Sequence, residues 1–175
     1  MKEVRVANLG LDRTNNTPVV ILRESDGERV LPIWIGPAEA SAIAMELAGV
    51  KSSRPLTHDL LKQVIVGLGA ELRKIIITAV KDSTYYAELH LYRGDQVIQV
   101  DARPSDSIAL ALRLQAPILT NDELLQHTVI ETTDTIGEGT GTGGPGERSS
   151  GPLDPDALKT YLQGLDPEDF GKFTP

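Results

Sequence analysis

The sequence predicts an α+β domain made of two βββα units, with one further helix inserted between them. Apolar segments with a strand-like pattern occur in two groups of three, and each group leads into a helical stripe that begins with proline. A shift of 67 residues places residues 30–35 on residues 97–102 and Pro37 on Pro104. This order indicates an internal duplication, with helices packed on a mixed or antiparallel sheet.

The first unit contains three predicted strands, over residues 3–9, 17–22 and 30–35. Asp26 and Gly27 lie between the second and third strands and favour a hairpin turn. Pro32 has no N–H to donate to a ladder, so the third strand is expected at a sheet edge or at a bulge. The helix that follows begins at Pro37 and is expected to end at Gly49.

The inserted helix is predicted from His58 to about Gly67, with Thr57 as its N-cap. Its apolar face consists of Leu60, Leu61, Val64 and Leu68. The second unit then supplies three more strands and a helix that starts at Pro104. These strands are predicted over residues 72–80, 85–92 and 96–102. Two short elements are expected after them, an edge strand and a terminal helical turn, over residues 117–120 and 121–126.

The composition changes after the predicted domain, which occupies residues 1–130. Residues 137–151 contain seven glycines, and they predict a flexible linker over residues 131–152. Residues 153–175 predict a short amphipathic, acidic tail that docks on its own domain or on a partner. The apolar positions of this tail recur at helical spacing, at Leu158, Tyr161, Leu162 and Leu165.

Charge and cysteine content limit the classes of function. The chain has a net charge of −8, but nine acidic and only three basic residues lie from Glu131 onward, which leaves the first 130 residues at −2. This balance argues weakly against a general nucleic-acid binder, which needs Lys and Arg for phosphate contacts. The chain contains no cysteine, which excludes disulfides and fits a cytoplasmic protein. No apolar segment approaches the length of a membrane span, so no membrane partner is expected.

Residues with catalytic potential gather where two predicted helices begin. The candidate catalytic residues are His58, Asp59, Asp101 and Asp106. The candidate substrate-binding residues are Arg54, Thr57, Arg103 and Ser105. The candidate ligands for Mg²⁺ or Mn²⁺ are Glu39, Asp101 and Asp106. Histidine can act as a general base, carboxylates can hold a metal that activates water, and arginine stabilises phosphoryl charge.

Two other interpretations of these residues stay open. In the first, the arginines form buried ion pairs with the carboxylates and only fix the packing of the two units. In the second, the polar corners recognise an anionic ligand or a protein, without catalysis. The catalytic interpretation requires that Arg54 and Arg103 share a hollow open to water. No P-loop, no His-Glu-x-x-His and no Gly-x-Ser-x-Gly motif is present.

Several motifs resemble the bifunctional nuclease family, formerly a domain of unknown function. The resemblance covers roughly residues 1–130 and is carried by Leu31-Pro-Ile-Trp-Ile-Gly36, Glu39-Ala40, Arg54-Pro-Leu-Thr-His-Asp59 and Asp101-Ala-Arg-Pro-Ser-Asp106. It implies a duplicated α+β fold and a nuclease that acts on DNA and RNA. It also implies self-association, with a homodimer favoured. The family supplies no settled catalytic residues to carry over, so the site residues remain hypotheses from the motifs and their chemistry.

Overall fold

A computed structural model describes residues 1–12 and 16–126, which form seven strands, three helices and a short 3₁₀ turn. The strands are β1 (Lys2–Asp12), β2 (Thr17–Glu24), β3 (Val30–Trp34), β4 (Glu71–Lys81), β5 (Thr84–Arg93), β6 (Gln96–Ala102) and β7 (Ile118–Thr120). The helices are α1 (Pro37–Leu47), α2 (Thr57–Gly67) and α3 (Pro104–Leu114), and the 3₁₀ turn is Asp122–Leu124. The predicted linker and tail, residues 131–175, lie outside the described residues.

All seven strands belong to one mixed sheet, in the order β3-β2-β1-β7-β4-β5-β6. Strand β3, which contains Pro32, lies at an edge, as expected from the missing N–H of proline. The prediction of an edge strand at residues 117–120 was wrong, because β7 lies in the middle of the sheet. It pairs antiparallel with β1 and parallel with β4, and it thereby joins the two three-stranded halves.

The three helices and one face of the sheet enclose the hydrophobic core. Alternate strand residues such as Ile75, Ile77 and Leu89 belong to this core, together with Ile43 of α1 and Ile108 of α3. Since side chains alternate along a strand, the residues between them point to the opposite face. The α+β class is therefore confirmed.

The two halves of the chain share one order of elements. Strands β1, β2 and β3 lead into α1, and β4, β5 and β6 lead into α3. Each of these two helices begins with proline and has an acidic residue at its third position, Glu39 in α1 and Asp106 in α3. A shared order does not by itself establish a duplication, which stays a prediction.

Helix α2 differs from the sequence prediction at its start. It begins at Thr57, and the N-cap is Leu56 rather than Thr57. The carboxylate of Asp59 accepts a hydrogen bond from the backbone N–H of Leu56 at 3.0 Å, so an acidic side chain closes the first turn from within the helix. The apolar face of α2 lies mostly in solvent, and of its eleven residues only Ile65 is buried.

None of the helices in the described part of the chain combines the length and apolar character needed to cross a bilayer.

Candidate functional site

The first turns of all three helices meet at one place. Glu39 belongs to the first turn of α1, His58 to that of α2, and Asp106 to that of α3. His58 Nε2 lies 3.0 Å from Asp106 Oδ1, Arg103 Nε lies 2.8 Å from Asp106 Oδ2, and Arg103 Nη1 lies 2.9 Å from Glu39 Oε1. We call these four residues, Glu39, His58, Arg103 and Asp106, the three-helix cluster.

Local sequence fixes the part of this cluster that α3 contributes. Arg103 is the N-cap in an extended conformation, and Pro104 occupies the first helical turn, where its missing N–H leaves no bond unmade. Asp106 follows at the third position, where the partial positive charge of the helix N-terminus favours a carboxylate. The spacing of three residues then brings the Arg103 guanidinium onto the Asp106 carboxylate.

Asp106 is ionised at neutral pH and determines the tautomer of His58. The hydrogen bond from His58 lowers the pKa of Asp106 to about 2, and the hydrogen bond from Arg103 adds to this effect against the cost of burial. An ionised carboxylate only accepts hydrogen bonds, so Nε2 of His58 must carry the proton. In the neutral imidazole this leaves Nδ1 as the atom that can accept a proton.

Arg103 is held in place but remains open to solvent. Its side chain is 66% exposed, although it contacts two carboxylates. Its contacts with Asp106 and Glu39 engage Nε, Nη2 and Nη1 once each. A guanidinium has five N–H groups, so two of them stay available for an incoming oxygen ligand. The hydrogen bond to Asp106 is the main reason that the pKa of Arg103 is raised.

Asp101 lies apart from the three-helix cluster. It pairs across the β5–β6 ladder with Glu88, which lies between the core residues Ala87 and Leu89. Residues that face each other across a ladder share one side of the sheet, so Glu88 and Asp101 point away from the helices. Asp101 of β6 therefore points to the face of the sheet opposite the helices, away from Asp106, although the two residues are only five positions apart in sequence.

The predicted substrate-binding residues have different surroundings. Arg103 belongs to the three-helix cluster, whereas Ser105 is buried in the first turn of α3. Thr57 is exposed at the start of α2, and Arg54 is exposed in the preceding loop. A groove of about 800 Å³ opens between α1, α2 and the end of α3, but neither Arg54 nor Arg103 lines it. The structure thus does not show the shared hollow that the catalytic interpretation required. The form of that interpretation with two arginines is not supported, and Arg103 is the arginine that lies beside His58 and Asp106.

Asp59 is engaged by a residue that the sequence analysis did not include among the candidates. Its Oδ1 accepts a hydrogen bond from Arg113 Nε at 2.7 Å, and this bond lowers the pKa of Asp59. The Arg113 side chain is only 3% exposed, and its Nη1 also donates to the carbonyl of Ala42 in α1. The signal available in the sequence was a single charged residue within the apolar run of α3.

The residues predicted to bind a metal do not form one donor set. Within residues 1–12 and 16–126, no three His, Asp or Glu side chains lie close enough to hold a metal ion. Glu39 and Asp106 both contact Arg103, and Asp101 points to the other side of the sheet. The Mg²⁺ or Mn²⁺ site stays a prediction.

Comparison with known proteins agrees with the motifs. The model of the bifunctional nuclease domain matches residues 20–133. An uncharacterized protein found in two strains of Mycobacterium tuberculosis is 39% identical over 170 residues, which is 97% of this chain and 98% of that protein. Bifunctional nuclease 2 of Arabidopsis thaliana is 30% identical over 120 residues, which is 66% of this chain and 36% of the plant protein. The chain therefore belongs to the bifunctional nuclease domain family.

Proposed function

We propose that this protein is a nuclease that hydrolyses phosphodiester bonds at the three-helix cluster. The observation that carries the proposal is the single Asp106 carboxylate that binds both an imidazole and an exposed guanidinium. The carboxylate orients a base, and it holds a cation beside that base. A base can take a proton from the attacking water, and a cation can stabilise the charge that develops on the phosphoryl oxygens. The family membership supports nuclease chemistry, and the resemblance in sequence supports both DNA and RNA as substrates.

His58 acts as the general base in this proposal. Its Nδ1 takes a proton from a water molecule, whose oxygen attacks phosphorus as the P–O bond to the leaving oxygen breaks. The imidazolium formed is stabilised by Asp106, and it then returns the proton to the leaving oxygen or to solvent. A water nucleophile serves both substrates, because DNA lacks the 2′-hydroxyl group through which RNA can be cleaved without water attack.

Arg103 stabilises the charge that develops on the phosphoryl oxygens. Its two remaining N–H groups can donate to these oxygens while Asp106 and Glu39 keep the guanidinium from turning away. The N-termini of α1, α2 and α3 meet here, and each contributes a partial positive charge that favours an anion. Glu39 opposes phosphate binding by its own charge, so we assign it a positioning role through Arg103.

The first prediction concerns the activity of the purified chain. We expect His58→Gln to lower kcat/KM on single-stranded DNA and RNA by roughly 10²–10⁴-fold, because it removes the base. We expect Arg103→Ala to lower it by about 10²–10³-fold, because the phosphoryl charge loses its donor. Cleavage of end-labelled oligonucleotides, followed on denaturing gels, measures both effects.

Three controls test this mechanism against contamination and against catalysis by a metal. His58→Gln, purified in parallel, sets the level of contaminating nuclease, and Asp95→Asn, an exposed change in the β5–β6 turn, should keep the wild-type rate. Asp101→Asn should keep its activity, since its side chain faces away from the cluster, and a large loss would favour the predicted metal site instead. A chelator added to the wild-type protein measures directly whether a divalent cation is needed.

Binding without cleavage is the second candidate function, and the exposure of Arg103 favours it. An exposed cation held beside three helix N-termini can receive an anionic ligand without any base. If wild-type protein and His58→Gln cleave equally little but both bind oligonucleotide, the protein is a binding module. If Arg103→Ala then loses that binding, the three-helix cluster is the ligand site.

A further inference from the structure

Helix α2 presents an apolar stripe to solvent. Five apolar side chains of this stripe are 39–63% exposed: Leu56, Leu60, Leu61, Val64 and Leu68. At ~100° per helical residue these positions fall within an arc of ~140°, and no charged residue of α2 lies inside that arc. We call this surface the outer stripe.

Polar residues hold α2 in this orientation. His58 bonds to Asp106, Asp59 bonds to Arg113, and Lys62 Nζ donates to the Arg113 carbonyl at 2.8 Å. The side of α2 that faces α3 is therefore largely polar, and Ile65 is the only buried residue of the helix. An amphipathic helix ordinarily packs its apolar side on the core, so the outer stripe is a surface prepared for another segment.

The groove beside the outer stripe adds apolar area and positive charge. Its volume is about 800 Å³, and Leu56 belongs both to its wall and to the stripe. Val50 and Leu112 supply further apolar lining. Three basic and two acidic residues also lie in the wall: Lys51, Lys62, Arg113, Glu46 and Asp59. The groove therefore has a net charge of +1, and an occupant with an apolar side and acidic flanks would fit both features.

We infer that the C-terminal segment of this chain, residues 157–165, docks on the outer stripe. Its apolar residues recur at helical spacing, and acidic residues flank it on both sides, among them Asp156 and Asp166. The apolar side of this segment complements the outer stripe, and its acidic flanks complement the net positive charge of the groove beside Leu56. Helix-in-groove docking by this kind of peptide is a common recognition mode.

The chain between the domain and this segment is long enough to reach the outer stripe. Roughly 30 residues separate Gln126 from the segment, and a Gly-rich chain of that length has an r.m.s. end-to-end distance of about 30 Å. A domain of this size has a radius of gyration of about 14 Å, so the segment can reach any face. The tether also gives an effective concentration in the millimolar range, which a second copy of the chain must exceed to compete.

The similarity to other proteins also extends into the tail. The match to the Mycobacterium tuberculosis relative covers 97% of this chain, so it continues well beyond the family model, which ends at residue 133. The tail is thus shared with a relative of nearly equal length. This inference does not depend on the nuclease proposal.

The second prediction uses the absence of cysteine from the chain, which allows clean disulfide trapping in the whole protein. We expect the double variant Leu61→Cys and Leu162→Cys to form an intramolecular disulfide under mild oxidation. The matched control combines Leu162→Cys with Val97→Cys, an exposed position on edge strand β6. The first pair should close at least about ten-fold faster than the control, as judged by non-reducing gels and mass spectrometry.

Two results would overturn the inference. Equal closure rates for the two pairs would mean that the tail has no preference for the outer stripe. Rapid disulfide-linked dimers of the single variant Leu61→Cys would assign the stripe to a second copy instead.

Hydrogen exchange gives an independent measurement: Leu162→Glu should speed exchange in α2, and Thr160→Glu, which lies off the apolar face, should not. Unchanged exchange in Leu162→Glu would also refute the docking.

Discussion

Glu24 is a buried carboxylate whose charge depends on two basic neighbours. It is 6% exposed, both of its oxygens bond to Arg29 at 3.0 Å, and Lys2 Nζ lies 3.0 Å from Oε1. The hydrogen bonds from Arg29 and, after it, Lys2 lower the pKa of Glu24 from 4.5 to about 2. Arg29 also bonds to Asp122 at 2.7 Å, so the group ties the β2–β3 hairpin to the 3₁₀ turn.

The third prediction follows from the direction of this pKa shift. A lowered pKa contributes stability that is fully present above pH 4.5 and is lost as the pH falls toward 2. We expect Glu24→Gln to lower Tm at pH 6 and to have little effect near pH 2. Thermal unfolding followed by circular dichroism across this range tests it, with Glu28→Gln in the same hairpin turn as the control. A constant difference in Tm at all pH values would contradict the ion-pair account.

The sequence predicted contacts between close neighbours better than contacts between distant ones. Asp101 and Asp106 were both possible partners of Arg103 from the sequence, and the helix start brings Asp106, three positions further on, within reach. Arg113 and Asp59 are 54 positions apart, and their contact depends on how α2 and α3 cross. The separation of Asp101 from Asp106 likewise depended on the side of the sheet, which residue types at one strand end do not reveal.

At the scale of elements, Arg113 links all three helices. Its Nε bonds to Asp59 of α2, its Nη1 bonds to the carbonyl of Ala42 in α1, and the same nitrogen bonds to the Ala109 carbonyl of its own helix. These contacts set how the helices cross. In the proposed mechanism Asp59 therefore has a positioning role: it orients the helix that carries His58.

The fourth prediction is that Arg113→Ala destabilises the fold by roughly 2–3 kcal/mol, because it removes a buried guanidinium that donates to Asp59 and to two carbonyls. The Asp59 side chain is 33% exposed, so water can solvate its charge in the variant. Urea unfolding measures the change in the free energy of unfolding. Arg73→Ala, which removes an exposed arginine paired with Glu71 on β4, is the control and should change it by less than about 1 kcal/mol. A small effect of Arg113→Ala would show that apolar packing alone holds the helices.

Element types and their order were predictable, because they depend on local periodicity, proline and glycine. Helix α3 starts at Pro104 as predicted, and the hairpin turn lies at Asp26 and Gly27. The orientation of α2 was not predictable in the same way. Its amphipathic pattern was plain, but hydrogen bonds to two other helices decide which side faces the protein.

At the scale of the whole molecule, the short strand β7 holds the two halves of the sheet together. Leu119 lies opposite Glu3 of β1 on one side and Ile76 of β4 on the other. The prediction that this segment is an edge strand failed, because the residue types of a three-residue strand do not indicate whether it lies at the edge or in the centre of a sheet. Central position is set by pairing with strands that lie far away in the sequence.

The fifth prediction is that Leu119→Pro destabilises the protein by about 3 kcal/mol or more, since proline removes a ladder donor from an interior strand. For a chain of this size the expected fall in Tm is roughly 10 °C. Leu119→Thr keeps the N–H group and the preference for extended structure, and it should be much milder. Comparable melting of the two variants would show that the backbone bonds of β7 matter little.

The central place of β7 also bears on how the protein is made. The other six strands are synthesised before β7, which lies between β1 and β4. Val4 of β1 pairs with Ile118 of β7, which is synthesised more than a hundred residues later. Until residue 120 emerges, β1 and β4 lack the strand that joins them, so each is an unpaired edge that can recruit another strand. Translational pausing before that point would expose both edges for longer, and it is the stage at which a chaperone would protect this chain most.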